Sequence, residues 1–356
     1  MRQQKTSVGV LGCTGLVGQH FVRLLDGHPW FRISLLAASP KSAGKSYQEA
    51  CRWIAGGEMP PAVRDMTVVE TSPDLVTESG CRVFFSALPA GIAGPLEAAL
   101  RAAGYFIFTN ASARRMDADV PILIPEINPD HASLLRDQIE RHGGFIAAGS
   151  NCTTAGLVLG LKPLDPLDPV FCTVTTFQSL SGAGRTGLAA LDISGNVLPF
   201  IGGEEDKMRR ETRKILGRVH SGRIVDREIS IRPTCCRVPV QVGHLLSIEV
   251  ETARRADVDE VRELFKGFHS PPQVTGLPTA PETPIIVRVE EDRPQPLLDA
   301  GAGRPERARG MAATVGRIQA DGRRISFLLL VNNLVRGAAG NVLLAAEFTR
   351  KGGLLP

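Results

Sequence analysis

Cys152 stands in the string Ser150-Asn151-Cys152-Thr153-Thr154, between an apolar run, Phe145 to Gly149, and a helix-like stretch, Ala155 to Leu164. A cysteine at such a strand-to-helix junction sits at a helix N-terminus, where the macrodipole and amide donors stabilise a thiolate and lower its pKa. The same amides can hold a developing oxyanion. That is the setting of a nucleophile, although a cysteine taken alone reads as well as a small buried hydrophobe. Near the start of the chain a second group of residues has its own chemistry. Gly12-Cys-Thr-Gly15-Leu-Val-Gly18 follows directly on an apolar strand. Three glycines there allow a sharp turn and bring backbone amides and a helix start against a pyrophosphate. The spacing departs from the common G-x-G-x-x-G pattern, and a tight turn without a ligand is the plain alternative. The next strand runs into Ser39-Pro-Lys41-Ser42-Ala-Gly-Lys45, where an NAD site usually carries an acid for the ribose hydroxyls. Here Ser39, Lys41 and Ser42 offer hydroxyls and a cation instead, which suits a 2′-phosphate and so NADP.

The elements that must position these groups fall into two kinds. Up to residue 150, short apolar strands (Ser7 to Gly12, Ile33 to Ser39, Arg82 to Pro89, Tyr105 to Ser112) alternate with amphipathic stretches such as Leu16 to Asp26. That alternation predicts an α/β fold with a Rossmann-like, doubly wound parallel sheet. From about Val170 the strand-like runs lengthen and become rich in Thr, Val and Ile: Val170 to Ser181, Arg223 to Pro233, His244 to Thr252 and Arg323 to Val331. These predict a second, α+β unit with a mixed and more antiparallel sheet. We divide the chain into a nucleotide-binding domain at 1–150 and a catalytic and dimerisation domain at 151–331, with a final helix at about 332–356 returning to the first domain. Ser270 to Pro284 and Asp299 to Gly310 read as surface loops of the second domain.

A chain of 356 residues has length for two cores, and its 43% hydrophobic and 22% charged content is that of a globular protein. No apolar run approaches the length of a membrane span, and no export signal precedes the first strand. The charge of +4 is interleaved rather than blocked. Its densest group, Lys207 to Lys214, has no aromatic residues for base stacking, which speaks against nucleic acid. Seven cysteines, an odd number without a CxxC pair, fit neither a disulfide framework nor a zinc site and indicate reduced thiols in a cytoplasm. No metal is expected.

Read together, the strings GxTGxVG, GSNCTT around Cys152, GEEDK at 203–207 and CRVPVQVGH at 236–244 resemble aspartate-semialdehyde dehydrogenase, most closely its archaeal and fungal-type branch. Thr109-NASARRM, Phe177-QSLSGAG, Pro278-TAPETPIIVR and Asn333-LVRGAAGN extend the resemblance over nearly the whole chain. One departure is Arg185-Thr186, where the family pattern has an aromatic residue and a proline.

The resemblance implies roles position by position. Cys152 would be the nucleophile, His244 the acid/base and Gln178 the residue that orients a thioester. Arg237 would clamp the substrate carboxylate and Glu204 meet its amino group. Lys207, Arg115 and Asn110 would bind the acyl phosphate, with Glu205 and Arg114 as neighbours fit for the same tasks. Around NADP it implies Gly12, Thr14, Gly15, Leu16, Val17, Gly18, Ser39, Lys41, Ser42, Ser86, Leu88, Pro89, Ser181, Gly182 and Asn333.

The implied reaction is NADPH-dependent reductive dephosphorylation of L-aspartyl 4-phosphate to L-aspartate 4-semialdehyde, within biosynthesis of lysine, threonine, methionine and isoleucine. Small molecules and phosphate would be the partners, in a homodimer or homotetramer. The set is also chemically coherent: cations for a phosphate, a guanidinium fork for a carboxylate, a carboxylate for an ammonium. Simple i, i+3 pairing would explain Glu204 and Lys207 as well. Competing readings are a malonyl-CoA reductase, an N-acetyl-glutamyl-phosphate reductase, or a non-catalytic nucleotide-binding regulator.

Overall fold

The computed structural model describes residues 4–74 and 79–355. Its first sheet contains β1 (Thr6–Leu11), β2 (Phe31–Ala38), β3 (Val68–Glu70), β4 (Val83–Ser86), β5 (Phe106–Thr109) and β6 (Phe145–Ala148), in the spatial order β3-β2-β1-β4-β5-β6 and parallel throughout. Helices α1 (Leu16–Leu25), α2 (Ala90–Ala102) and α3 (Ser133–His142) connect its strands. The central strands β4, β5 and β6 are buried at every position. That is why they read as continuous apolar runs rather than alternating ones.

The second sheet carries β7 (Pro169–Gln178), β8 (Ser230–Arg237), β9 (His244–Thr252), β10 (Ile285–Val287), β11 (Ala313–Asp321) and β12 (Arg324–Val331), in the order β8-β7-β9-β12-β11-β10. The β8/β7 and β10/β11 pairs are parallel and the other three antiparallel, so this sheet is mixed. Strand β9 alternates buried Leu246, Ile248 and Val250 with exposed Ser247, Glu249 and Glu251. One face therefore holds a core and the other stays partly exposed. Helix α4 (Cys152–Leu161) lies across the buried face. Its glycines make the close approach possible. A Cβ on Gly156 would come within 3.1–3.3 Å of Val331, Leu246 and Leu329, and one on Gly160 within 3.0–3.3 Å of Phe327 and Leu329.

Two expectations need correction. The segment around Ser270 to Pro284 is not a surface loop of the second unit, because Val274, Leu277 and Ala280 are buried in the core of the first. Their i, i+3, i+6 spacing lays one apolar stripe against α7 (Gly340–Lys351), and Thr279 donates its backbone N–H to Glu347 of that helix at 2.9 Å. Ala308, from the Asp299 to Gly310 stretch, enters the same core. Proline and glycine content signalled a break in regular structure, which is correct, but not which surface the break covers.

The basic cluster is likewise not one solvated face. It lies on α5 (Glu204–Ile215), where Arg209, Arg210 and Arg213 are exposed but Lys214 is buried. Lys214 donates to the carbonyls of Arg115, Asp117 and Val120 at 2.7–2.8 Å, and burial lowers its pKa to about 8.

Candidate active site

Strand register brings the first half of the site together. Leu11 pairs with Ser86, Ser86 with Thr109 and Thr109 with Ala148, so four parallel strands end at one level. The crevice beyond the carboxyl ends of such a sheet is where ligands bind. Each loop that leaves this edge carries residues singled out in the sequence. The glycine turn follows β1, Leu88 and Pro89 follow β4, Asn110 and Arg115 follow β5, and Cys152 follows β6.

The second sheet supplies a facing row. Arg237 and Gln178 are partners at the ends of β8 and β7, and Leu245 pairs with Phe177, so His244 begins β9 at the same end. His244 also pairs with Val331, which places Asn333 two residues beyond that row.

A cleft of about 440 Å3 lies between the two edges. Gly15, Leu16, Val17, Leu88, Pro89, Asn110, Arg115, Cys152, Ser181, Gly182, Lys207 and Asn333 line it. Glu204, Gln178, Arg237 and His244 stand behind this lining, all buried. At the glycine turn a Cβ on Gly18 would lie 2.1 Å from the Gly12 carbonyl oxygen, so only glycine lets α1 start this close to the strand. Gly12 itself has φ +77°. Helix α1 has no side-chain cap, which leaves amides at its N-terminus free for an anion. Thr14 is half-buried beside this turn, and Ser86 is fully buried as the last residue of β4. Ser39 and Lys41 are exposed and Ser42 is half-buried, in the turn that leaves β2. The one acid nearby, Glu49, accepts from the Ser46 amide and hydroxyl in a capping box.

Around the thiol the geometry is tight. Cys152 Sγ is 3.2 Å from His244 Nε2. A Cβ on Gly337 would meet Cys152 Cβ at 2.7 Å, so the C-terminal segment can pass behind the nucleophile only as glycine. Asn151 caps α4: its Oδ1 accepts from the amides of Thr153 and Thr154, and its Nδ2 donates to Glu204 Oε2 at 2.8 Å.

The expectation of free helix amides and a lowered thiol pKa is thereby corrected. The first amides are already engaged, and burial with the nearby Glu204 charge pushes the Cys152 thiol up to about 12, against the pull of Arg115 and Arg237. Burial and Arg237 hold His244 down to about 3.

The charged groups form a chain. Glu204 accepts from Lys207 at 2.8 Å, so the simple i, i+3 pair is present inside the site. Arg115 pairs with Glu211 at 2.9 Å and donates to the Asn110 carbonyl at 2.8 Å. Arg114 points elsewhere, to the Gly94 carbonyl and Asp117, and Glu205 pairs with Arg209 at the surface. Arg237 donates to the Ser179 carbonyl at 2.7 Å, and Gln178 Nε2 to Thr176 Oγ1 at 3.3 Å.

Glu211 was missed in the sequence. Its second oxygen accepts from the Asn151 amide at 2.6 Å, so one buried carboxylate holds both Arg115 and the residue before the nucleophile. Its spacing of seven from Glu204, two turns along one helix face, was the available signal. Arg336 was missed too; it is fully buried against Glu126 at 2.5 Å and fixes the segment that carries Gly337. Among the described residues no group of three or more His, Cys, Asp or Glu could hold a metal ion.

Comparison with known proteins agrees with this geometry. Two family models match, "Semialdehyde dehydrogenase, NAD binding domain" at residues 7–135 and "Semialdehyde dehydrogenase, dimerisation domain" at residues 161–336. Aspartate-semialdehyde dehydrogenase of Archaeoglobus fulgidus is 45% identical over 348 residues, covering 97% of this chain and 98% of the relative. A protein named malonyl CoA reductase (NADP), from Metallosphaera sedula, is 40% identical over 349 residues and 95% of each chain. The crystal structure of the Candida albicans aspartate-semialdehyde dehydrogenase with NADP superposes with a TM-score of 0.89 at 36% identity, over 99% of this chain and 100% of that one. With matched domains across most of its length and these relatives over nearly all of it, the chain belongs to the aspartate-semialdehyde dehydrogenase family.

Proposed function

We propose that this protein converts L-aspartyl 4-phosphate to L-aspartate 4-semialdehyde, reversibly, through a thioester on Cys152, with NADPH as reductant. The observation that carries this reading is the Cys152–His244 contact at the floor of a cleft that also holds Arg115, Lys207 and Glu204. The thiolate attacks the acyl carbon, the carbon–oxygen bond to phosphate breaks, and phosphate leaves toward Arg115, Lys207 and Asn110. Arg237 forks onto the α-carboxylate and Glu204 receives the ammonium, exchanging its bond to Lys207 for the substrate. Gln178 orients the thioester and His244 is the acid/base group. NADPH, when bound, supplies the hydride. The uncapped start of α1 and the Gly12–Gly18 turn fit its pyrophosphate, and Ser39, Lys41 and Ser42 fit the 2′-phosphate.

The product feeds the aspartate-derived amino acids. We assign the protein to the cytoplasm: all seven cysteines are free, and no described helix is long and apolar enough to cross a membrane. The partly exposed face of the second sheet, with Ser247 and Glu249, supports pairing of two chains there, in keeping with the description of the matched domain.

The test is phosphate-dependent NADP reduction with L-aspartate β-semialdehyde, run beside malonate semialdehyde and N-acetyl-glutamate semialdehyde. Aspartate semialdehyde is expected to be turned over best, because only it uses Glu204. Preference for malonate semialdehyde would move the assignment to the second relative's reaction. In the same assay NADP is expected to exceed NAD by at least about tenfold in kcat/KM, since a charge-assisted bond contributes about 1.5–3 kcal/mol. Equal values would remove Ser39 to Ser42 from phosphate recognition. Arg237→Lys keeps the charge but loses the fork, so kcat/KM should fall by about tenfold or more without loss of folding. Wild-type kinetics in that variant would exclude Arg237 from substrate binding.

A further inference from the structure

The Nδ1 side of the His244 ring meets a donor that cannot reverse. The backbone N–H of Ser179 donates to Nδ1 at 3.0 Å, and a backbone amide has no lone pair to offer in return. A second fixed donor lies one residue before the histidine. The backbone N–H of Gly243 donates to Asn333 Oδ1 at 2.9 Å, which sets the orientation of that side-chain amide, and its Nδ2 donates to Ser181 Oγ at 2.8 Å. Oδ1 can only accept. The Ser179 hydroxyl, 3.1 Å away, therefore donates to it and keeps no proton for the ring.

Two neutral tautomers compete for this frame. With the proton on Nδ1, the ring would donate to Ser179 Oγ at 3.2 Å, but two N–H groups would then face one another and a buried amide would lose its partner. With the proton on Nε2, every backbone donor is satisfied and only a hydroxyl lone pair, already spare, faces Nδ1. The ring is 0% exposed, so water cannot relieve the first arrangement.

We infer that Ser179 and Asn333 are positioning residues that hold His244 as the Nε2–H tautomer, so that the ring meets Cys152 as a hydrogen-bond donor and not as the base that takes its proton. Nε2–H donates to Sγ across 3.2 Å. When Cys152 ionises, its S–H bond breaks, the proton goes to solvent, the electron pair stays on sulfur, and His244 keeps its single proton. The charged groups around the pair fit this division. Arg237, on β8, faces the ring and opposes an imidazolium, while Arg115 and Arg237 favour the thiolate and Glu204 disfavours it. The inference rests on the thioester reading above and narrows the acid/base assignment to its donor half. Once sulfur is acylated, the same N–H is the donor available to the acyl oxygen.

The test is long-range 1H–15N NMR on the full 15N-labelled chain, with the His244 signals identified by their loss in His244→Gln. The expected pattern is a bare Nδ1 and a protonated Nε2, unchanged from pH 8 to pH 6. A protonated Nδ1, or an imidazolium at neutral pH, overturns the inference. In Asn333→Ala the freed hydroxyl can accept from Nδ1, so a protonated-Nδ1 signal should appear. Asn333→Asp keeps both acceptor contacts and should restore the wild-type pattern. A pure Nε2–H pattern in Asn333→Ala removes Asn333 from the relay.

Alkylation of Cys152 by iodoacetamide gives an independent reading. Its rate should rise about tenfold per pH unit without a break near the histidine range. A plateau reaching below pH 6 would reveal a thiolate–imidazolium pair and overturn the inference. None of these measurements needs turnover, so failure of the aspartate semialdehyde assay and failure of the tautomer assignment are separate results.

Discussion

Turnover by the Cys152→Ser protein falls by about four orders of magnitude or more, while NADP binding and the melting temperature stay near those of the parent. The substitution preserves size at a crowded position, since the Gly337 backbone closes one side of the residue and His244 the other. It removes the anion. The thiol is already pushed up to about 12 by burial and Glu204, and ionises only with the help of Arg115, Arg237 and the His244 donor. A hydroxyl lies several pKa units higher still, beyond what the same groups can offset. Cys152→Ala should behave alike. The acyl adduct formed without NADPH, located by mass spectrometry, should sit on Cys152 in the parent and be absent from both variants. An adduct on another residue, or substantial activity in either variant, ends the covalent assignment.

Stability is expected to collapse on mild acidification. His20 and His244 are buried and held down to about 3, mainly by desolvation, and burial also lowers His28 and His131. In the unfolded chain these groups take up protons near pH 6.5, whereas the folded protein leaves them neutral. Below that pH the unfolded state binds more protons, so stability falls with falling pH until the folded pKa values are reached. The loss is about 1.4 kcal/mol per pH unit for each histidine, or about 3 for His20 and His244 together, with His28 and His131 acting in the same direction. A typical domain has only about 5–15 kcal/mol in total. Urea midpoints measured at pH 7.5, 6.5 and 5.5 should therefore be level over the first interval and drop steeply over the second. A flat series would show that protons reach these rings in the folded state.

What the sequence made legible was set by periodicity and local chemistry. Strands β4, β5 and β6 are buried on both faces, and their continuous apolar runs with helical stretches between them pointed directly to a parallel sheet. The alternation in β9 and β12 pointed to the mixed one. Strand β3 has only three residues, Val68–Glu70, too few to carry a period. The cleft residues that were legible, such as Cys152 and the glycines of the first turn, owe their visibility to local motifs.

Glu211 and Lys214 do their work through contacts 60 to 99 positions away, at Asn151 and Arg115, and no local pattern encodes those partners. The same holds for Arg336 and Glu126, 210 residues apart. Helix propensity says that α5 forms; only the packed structure says that one of its faces is buried and charged.

The core shared by β1, α1 and α7 orders the making of the protein. Val8, Val10 and Phe21 are buried with Val342, Leu343, Leu344 and Ala346, and with Val274 and Leu277. A ribosome releases the first sheet early, yet its apolar face stays unmatched until residues 340–351 emerge. The strands of the second sheet lie within 169–331 and can pair before that point. The nucleotide-side core is thus the last to close, and a growing chain carries its exposed surface through most of synthesis, the interval in which a holding chaperone has something to bind.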